Sequence, residues 1–312
     1  MSEDSTVFLV IYIITFLISF PNAVLAFCSC IHKIHRKPIP IDIFMLNLTV
    51  SDLIFLTFLP VKMKEATDDM VWNMPYILCH FNMFMFFLPF YSSGMFLTAI
   101  SAERYVCIRF PMKYKSQKRN IYTILICVAI WALVIALVAF GYKATYTDSE
   151  IHNTTNQRPL VTEPLRCYSN FTATQLRQLS KIRMAALVLV ICIPFIICCF
   201  CYINVICILL KLPLINRCRR LRAIGLVLGT LLEFTVCYAP ISVSYIVGYI
   251  RQENPSWRMK ALMPTTLNAC FDLIIFFCIS REMRKAVCVI ANALFQLYAY
   301  IQRSLCCCAL KY

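Results

Sequence analysis

The chain has 312 residues, of which 61% are hydrophobic and 14% are charged. Soluble domains carry about 25% charged residues, and a chain of this composition cannot hide its apolar side chains in one core, so lipid must solvate much of it. The five glycines never cluster, which excludes the glycine-rich phosphate loops of nucleotide-binding enzymes. The net charge of +15 fits either nucleic acid binding or basic residues flanking membrane spans, and the placement of the charges must decide.

Seven apolar segments are long enough to span a bilayer, which requires about 20 residues each. They lie at 7–31, 41–62, 77–108, 121–142, 182–211, 221–250 and 259–280. The pattern predicts an all-α membrane protein in which residues 1–280 form one seven-transmembrane helix bundle. Glu3 and Asp4 precede the first segment, where a signal peptide would be basic, so we expect that segment to remain as a helix.

Lysine and arginine are concentrated in the odd-numbered connections and after the seventh segment. The positive-inside rule therefore places these regions in the cytoplasm and the N terminus outside the cell. Asn153 and Asn170 begin glycosylation sequons in the fourth connection, which this orientation also places outside. We expect a multi-pass protein of the plasma membrane with an extracellular N terminus and no nucleic acid partner.

The segment 281–312 differs from the spans. Between Met283 and Ile301, apolar residues recur at steps of three and four beside Arg281 and Arg284. This periodicity predicts an amphipathic helix that lies on membrane lipid at the cytoplasmic face. The three cysteines that follow are either acylation sites that add a second anchor or simply part of a cysteine-rich tail. They are Cys306, Cys307 and Cys308.

Few ionisable residues lie inside the spans, where a charge costs ~2.5–3.5 kcal/mol on insertion scales. They are Asp52 in the second span, Glu233 in the sixth and Asp272 in the seventh. With Ser93 and Asn268 they form a set of oxygen ligands that can hold a small hard cation such as sodium, or share protons. The alternative is a polar network that stabilises helix contacts.

Arg183 and Arg258 lie at the outer ends of the fifth and seventh spans. A guanidinium there either snorkels to the interface or points inward to bind an anion through two hydrogen bonds. Tyr245 is close to them in the predicted topology and either lines a pocket or anchors the interface. Arg104, at the inner end of the third span, would by itself be an ordinary flanking charge.

Most of the 19 cysteines lie in apolar runs without histidines, which gives no support to a zinc site. Two differ in position. Cys79 opens the third span from outside and Cys167 lies in the long outer loop. This compartment permits a disulfide, and because the two cysteines share the outer side we predict that they are bonded to each other.

Seven landmarks occur in order along nearly the whole chain. They are Leu46-Asn47-Leu48-x-x-x-Asp52-Leu53, Trp72, Cys79, Glu103-Arg104-Tyr105, Trp131, Pro194 with Tyr202, and Phe234-x-x-Cys237-Tyr238-Ala239-Pro240. This pattern resembles the rhodopsin-like (class A) G-protein-coupled receptors. Within that class, the segments 46–52, 167–172, 247–249, 255–258 and 266–269 are similar to the short-chain free fatty acid receptors. The resemblance implies a receptor without enzymatic activity or cofactor, apart from the candidate sodium ion.

The resemblance assigns a role to the outer arginines. Arg183 and Arg258 match two arginines that bind the ligand carboxylate in the short-chain free fatty acid receptors. Other pocket positions depart from that family, because Tyr245 replaces a histidine and both Ile241 and Phe87 replace tyrosines. We therefore expect a carboxylate ligand in a drier pocket that tolerates longer aliphatic tails.

The cytoplasmic end also carries class features. By resemblance, the residues expected to contact or support a G protein are Glu103, Arg104, Tyr105 and Tyr202. The seventh-span motif differs, since Leu273 and Phe276 stand where the class has proline and tyrosine, and this departure predicts weakened coupling.

We expect a receptor that is activated by a small carboxylate, a free fatty acid, and signals to a heterotrimeric G protein of the Gi/o or Gq class. A class A receptor for another lipid or a peptide is an alternative, as is a weakly coupling or scavenging receptor. A transporter or channel is disfavoured because the sequence shows neither internal repeats nor half-length spans.

Overall fold

The computed structural model describes residues 3–110, 119–153, 167, 171–211 and 217–279. This part of the chain is helical with short connections and has no strand. The first four helices are α1 (Glu3–Arg36), α2 (Pro40–Thr67), α3 (Tyr76–Arg109) and α4 (Arg119–Asn153). Each of the last three helices consists of three consecutive segments. The helix α5 comprises Ala173–Ala186, the π-helical stretch Leu187–Cys192 and Ile193–Lys211, and α6 comprises Arg217–Glu233, the π-helical stretch Phe234–Tyr238 and Ala239–Arg251. The helix α7 comprises Arg258–Leu262, the 3-10 stretch Met263–Leu267 and Asn268–Ile279.

The helices α1 to α6 are long and apolar enough to cross a membrane. Many of their large apolar side chains point outward, including Ile124, Leu125, Val128, Ile196 and Phe200. Exposing so much apolar surface to water would be unfavourable, whereas lipid solvates it well. The described helices therefore agree with the predicted all-α membrane protein.

Packing places α3 at the centre of the bundle. In the most apolar stretch of α3, 72% of the residues are buried, whereas in that of α4 only 22% are buried. The helix α3 packs against α2, α4 and α5, while α7 packs against α6 and α1 and so closes the ring. Between α2 and α4, the Trp131 indole N–H donates to Asn47 Oδ1 at 3.0 Å, so two of the sequence landmarks are direct partners.

The helices α5 and α4 show the largest extensions beyond the spans predicted from hydropathy. The helix α5 begins at Ala173 rather than near residue 182 because Thr172 and Gln175 form a capping box, with bonds of 2.9 and 3.3 Å. Capping satisfies the free backbone donors of the first turn even though that turn is polar. The helix α4 continues to Asn153. Outside the described residues lie the predicted helix within 281–312, the sequon at Asn170, and Cys306, Cys307 and Cys308.

Candidate ligand-binding site

A disulfide fixes the connection between α4 and α5 at the end of the bundle where α3 begins. In the structure Cys79 is bonded to Cys167, with 5.7 Å between their Cα atoms. Trp72 and Met83 pack around the bridge. Cys167 also lines a large cavity at this end of the bundle, so the bridge holds one wall of that cavity in place.

The cavity has a volume of about 390 Å³, which is within the range of small-molecule sites. It opens among α1, α2, α3, α5, α6 and α7. The cavity is lined by all five side chains that were predicted from the sequence to bind the ligand: Phe87, Arg183, Ile241, Tyr245 and Arg258. The fold thus brings together residues from four helices that are far apart in the chain.

The two arginines are almost fully buried, with 6% of Arg183 and 5% of Arg258 exposed. Their guanidinium carbons lie 6.0 and 5.8 Å from the ring centre of Tyr245, and Arg183 also lies 5.7 Å from the ring centre of Phe171. Aromatic faces stabilise cations at these distances. Two buried positive charges therefore lie beside one aromatic ring in one cavity, a setting that favours an anion.

Bonds from α6 and the following connection hold the guanidinium of Arg258. Its Nε donates to Ser244 Oγ at 3.4 Å, its Nη2 donates to the Ser244 carbonyl at 2.9 Å, and its Nη1 donates to Asn254 Oδ1. A guanidinium has five N–H donors, and these bonds engage one on each nitrogen. One N–H on Nη1 and one on Nη2 have no partner among the described residues, and two such donors can bind a carboxylate through two hydrogen bonds.

A smaller apolar chamber of about 60 Å³ adjoins the cavity and shares Phe87, Arg183 and Tyr245 with it. Its other walls include Met83, Phe84, Tyr91, Leu137, Val138 and Leu179. The Tyr91 and Tyr245 hydroxyls are hydrogen-bonded at 2.7 Å. At ~10–15 Å³ for each water-sized group, the chamber accommodates roughly four to six such groups.

Acidic side chains also line the cavity. Glu65 of α2 lines the cavity and is 1% exposed, and its Oε2 accepts from the Lys62 ammonium at 2.8 Å. Breaking such a buried pair is strongly destabilising because it leaves an isolated charge. Hydropathy gave no indication of this pair, because the second predicted span ended at residue 62 and left Glu65 outside it. Asp4, at the cavity rim, pairs with Lys260 at 2.9 Å, and both of these side chains are largely exposed.

The predicted cation ligands also converge, deeper in the bundle. Asp52, Ser93 and Asn268 line a cavity of about 10 Å³, which is enough for one water-sized group. Asn268 Nδ2 donates to Asp272 Oδ2 at 3.4 Å, while Asn268 Oδ1 and Asp272 Oδ1 have no hydrogen-bond partner among the described residues. The carboxyl groups of Asp52 and Asp272 are close enough for their charges to interact. These oxygens match the ligands of a small hard cation.

Glu233 is the third acid in this region. It is fully buried, and neither of its carboxyl oxygens has a hydrogen-bond partner within the described part of the chain. Its charge would interact with both Asp52 and Asp272. Within the described ranges, however, no three or more His, Cys, Asp or Glu side chains are grouped so as to bind a metal ion, so the candidate site depends on Ser93 and Asn268 as well as on acids.

The side chains that were predicted from the sequence to contact or support a G protein lie at the opposite end of the bundle. The Tyr202 hydroxyl bonds to Ser101 of α3 and donates to Thr230 of α6 at 2.9 Å, so it links three helices. The Tyr105 ring contacts Phe200 with 5.8 Å between ring centres. Glu103 and Arg104, on the same turn of α3 as Tyr105, are half-buried.

A family model described as 7 transmembrane receptor (rhodopsin family) matches residues 21–283. The chain is 35% identical to free fatty acid receptor 3 of Mus musculus over 277 residues, which are 89% of this chain and 84% of that protein. It is 35% identical to free fatty acid receptor 2 of Homo sapiens over 283 residues, 90% of this chain and 84% of that protein. These matches show that the chain belongs to the rhodopsin family of seven-transmembrane receptors, close to the free fatty acid receptors, and is not an enzyme.

Proposed function

We propose that this receptor is activated by the carboxylate of a small free fatty acid. The observation that carries the proposal is the pair of buried arginines, Arg183 and Arg258, beside Tyr245 in one cavity. A carboxylate offers two acceptor oxygens to such donors and neutralises part of their charge. The names of the relatives agree with this ligand class.

The apolar chamber is proposed to take the aliphatic tail. It opens beside Arg183 and Tyr245, so a carboxylate at the arginines can direct its tail into the chamber. Each buried methylene contributes ~0.8 kcal/mol, which is roughly fourfold in potency for each added carbon. The gain should stop when the chamber is filled. Phe87 and Ile241 add apolar surface to the larger cavity.

We also propose the orientation and the partners. The cavity would face the outside of the plasma membrane, with an extracellular N terminus and with glycans at Asn153 and Asn170. A heterotrimeric G protein of the Gi/o or Gq class would bind the opposite end, near Glu103, Arg104, Tyr105 and Tyr202. The segment 281–312 would lie on membrane lipid, anchored by acylation in its cysteine triplet.

Acid-dependent nucleotide exchange on purified Gi and Gq tests the proposal. Receptor-containing membranes are given straight-chain acids from acetate to octanoate, with the primary amide of each acid as its control. We expect exchange with the acids only, with potency that rises along the series and then reaches a plateau. Equal responses to acids and amides would contradict the carboxylate ligand. Binding without exchange would instead support a weakly coupling receptor, as Leu273 and Phe276 suggest.

A second prediction concerns the oxygen cluster in the bundle core. We propose that Asp52, Ser93, Asn268 and Asp272 bind one sodium ion and that the occupied site opposes activation. Replacing sodium chloride by choline chloride at constant ionic strength should then raise acid potency in the parent. The variant Asp52→Asn should respond equally in both salts because it loses the charge that attracts the ion.

The control for this measurement is Asp42→Asn, which removes an acid from the first turn of the same helix. It should remain as sensitive to sodium as the parent. If the parent and Asp52→Asn respond to the salt exchange in the same way, the cluster is a structural polar network instead.

A further inference from the structure

At Gly248 the backbone of α6 lies close to Arg258, the first residue of α7. A Cβ atom built on this glycine would lie 2.5 Å from Arg258 Nη2 and 3.1 Å from the Glu253 carbonyl oxygen. The contact with Arg258 Nη2 is shorter than Cβ atoms in proteins show, and the contact with the Glu253 carbonyl oxygen is tighter than most Cβ contacts. Gly248 is buried one helical turn after Ser244, the residue that accepts two hydrogen bonds from the same guanidinium.

We propose that Gly248 is a positioning residue for ligand recognition, because its missing side chain leaves the space in which the Arg258 guanidinium lies. In this position Nη2 reaches the Ser244 carbonyl and Nη1 reaches Asn254. The two N–H groups left over then keep a defined direction in the cavity. The inference rests on the proposed carboxylate ligand and adds a residue that does not itself contact the ligand.

The backbone does not require glycine at this position. Gly248 lies inside the helical segment Ala239–Arg251, and no described glycine has a positive φ. Inside a helix glycine is less stable than alanine by about 0.5–1 kcal/mol, so alanine would favour the helix itself. A Cβ built on Gly141 of α4 meets nothing within 4 Å, which shows that close approach is not a general property of the glycines in this bundle.

Alanine at position 248 should therefore leave the helix intact and displace the guanidinium. The atom that it meets first is the end of a flexible side chain, which can move without unfolding α6. Movement of Nη2 breaks the bond to the Ser244 carbonyl and turns the remaining fork away from its direction. We expect Gly248→Ala to lower the potency of pentanoate by roughly tenfold, which is the loss of about one charge-assisted hydrogen bond.

A double-mutant cycle with Arg258→Lys tests whether Gly248 acts through Arg258. Lysine has no Nη2, so in that background the added methyl group displaces no guanidinium and meets only the Glu253 carbonyl oxygen at 3.1 Å and Pro255 Cδ at 3.4 Å. We expect the double variant to match Arg258→Lys to within about twofold, whereas independent effects would add. The measurements are pentanoate potency in nucleotide exchange and surface expression. Val243→Ile, which adds one carbon to an exposed side chain of α6, is the control and should match the parent.

Several outcomes would overturn the proposal. They are unchanged potency in Gly248→Ala, or a loss in that variant that simply adds to the loss in Arg258→Lys. If Gly248→Ala fails to reach the cell surface, the double variant Gly248→Ala with Arg258→Gln should restore surface expression, because it removes the clash with the guanidinium. If the double variant also fails to reach the surface, the clash with the Glu253 carbonyl oxygen is the cause and the proposal is wrong. If Arg258→Lys alone leaves acid potency unchanged, Gly248 has no carboxylate-binding group to position and the present proposal fails. The carboxylate proposal itself fails only if Arg183→Lys also keeps full acid potency.

Discussion

Cys79→Ser is expected to remove most of the receptor from the cell surface and to abolish the response of the remainder. The bonded cysteines are 88 residues apart, and in the chain-entropy model a loop of this length contributes about 4–5 kcal/mol. That amount is comparable to the whole stability of many domains, about 5–15 kcal/mol. Loss of the bridge also releases Cys167 from the cavity wall, so binding should suffer along with folding.

The measurement is surface labelling of an N-terminal epitope, followed by acid-dependent nucleotide exchange at matched expression. Cys192→Ser, at an exposed free cysteine of α5, controls for the loss of a thiol and should behave as the parent. The pair Cys79→Ser with Cys167→Ser should be no worse than the single change, since both lack the same bond. A Cys79→Ser receptor that reached the surface and responded like the parent would show that the bridge does not hold the cavity wall.

Hydropathy and resemblance predicted the parts of this receptor that depend on residue type alone. The spans follow from apolar runs, and Arg183 and Arg258 stood out as cations at the outer ends of two spans, at positions that match the family. The bonds that shape the site could not be predicted in this way. The contact between Tyr91 and Tyr245 joins residues 154 positions apart and depends on how α3 and α6 are rotated about their axes.

The surroundings of Arg258 were missed for a related reason. Ser244 and Asn254 are ordinary polar residues in the sequence, and their role appears only when α6 and α7 are packed together. Asn254 lies in the connection before α7, which begins at Arg258, so no helical spacing pointed to this pair. Gly248 gave no signal, since a single glycine in an apolar run is tolerated without any special role.

The largest expected effect on ligand recognition comes from exchanging either buried arginine for lysine. Arg183→Lys and Arg258→Lys keep the positive charge and lose the planar fork that matches a carboxylate. A hydrogen bond to a charged group is worth ~1.5–3 kcal/mol net, so each change should reduce acid potency by roughly tenfold to more than a hundredfold. The measurement is nucleotide exchange with pentanoate and with pentanamide, at matched surface expression.

The two lysine variants should differ in degree. Arg183 lies against the rings of Phe171 and Tyr245, and a lysine ammonium keeps part of that cation–π attraction. Arg258→Lys forfeits in addition the bonds to Ser244 and Asn254, so it should show the larger loss. The control is Arg251→Lys, at an arginine with 68% of its side chain exposed, and its acid potency should equal that of the parent. Full acid potency in both buried-site lysine variants would mean that the arginines are only anchors and that another group binds the ligand.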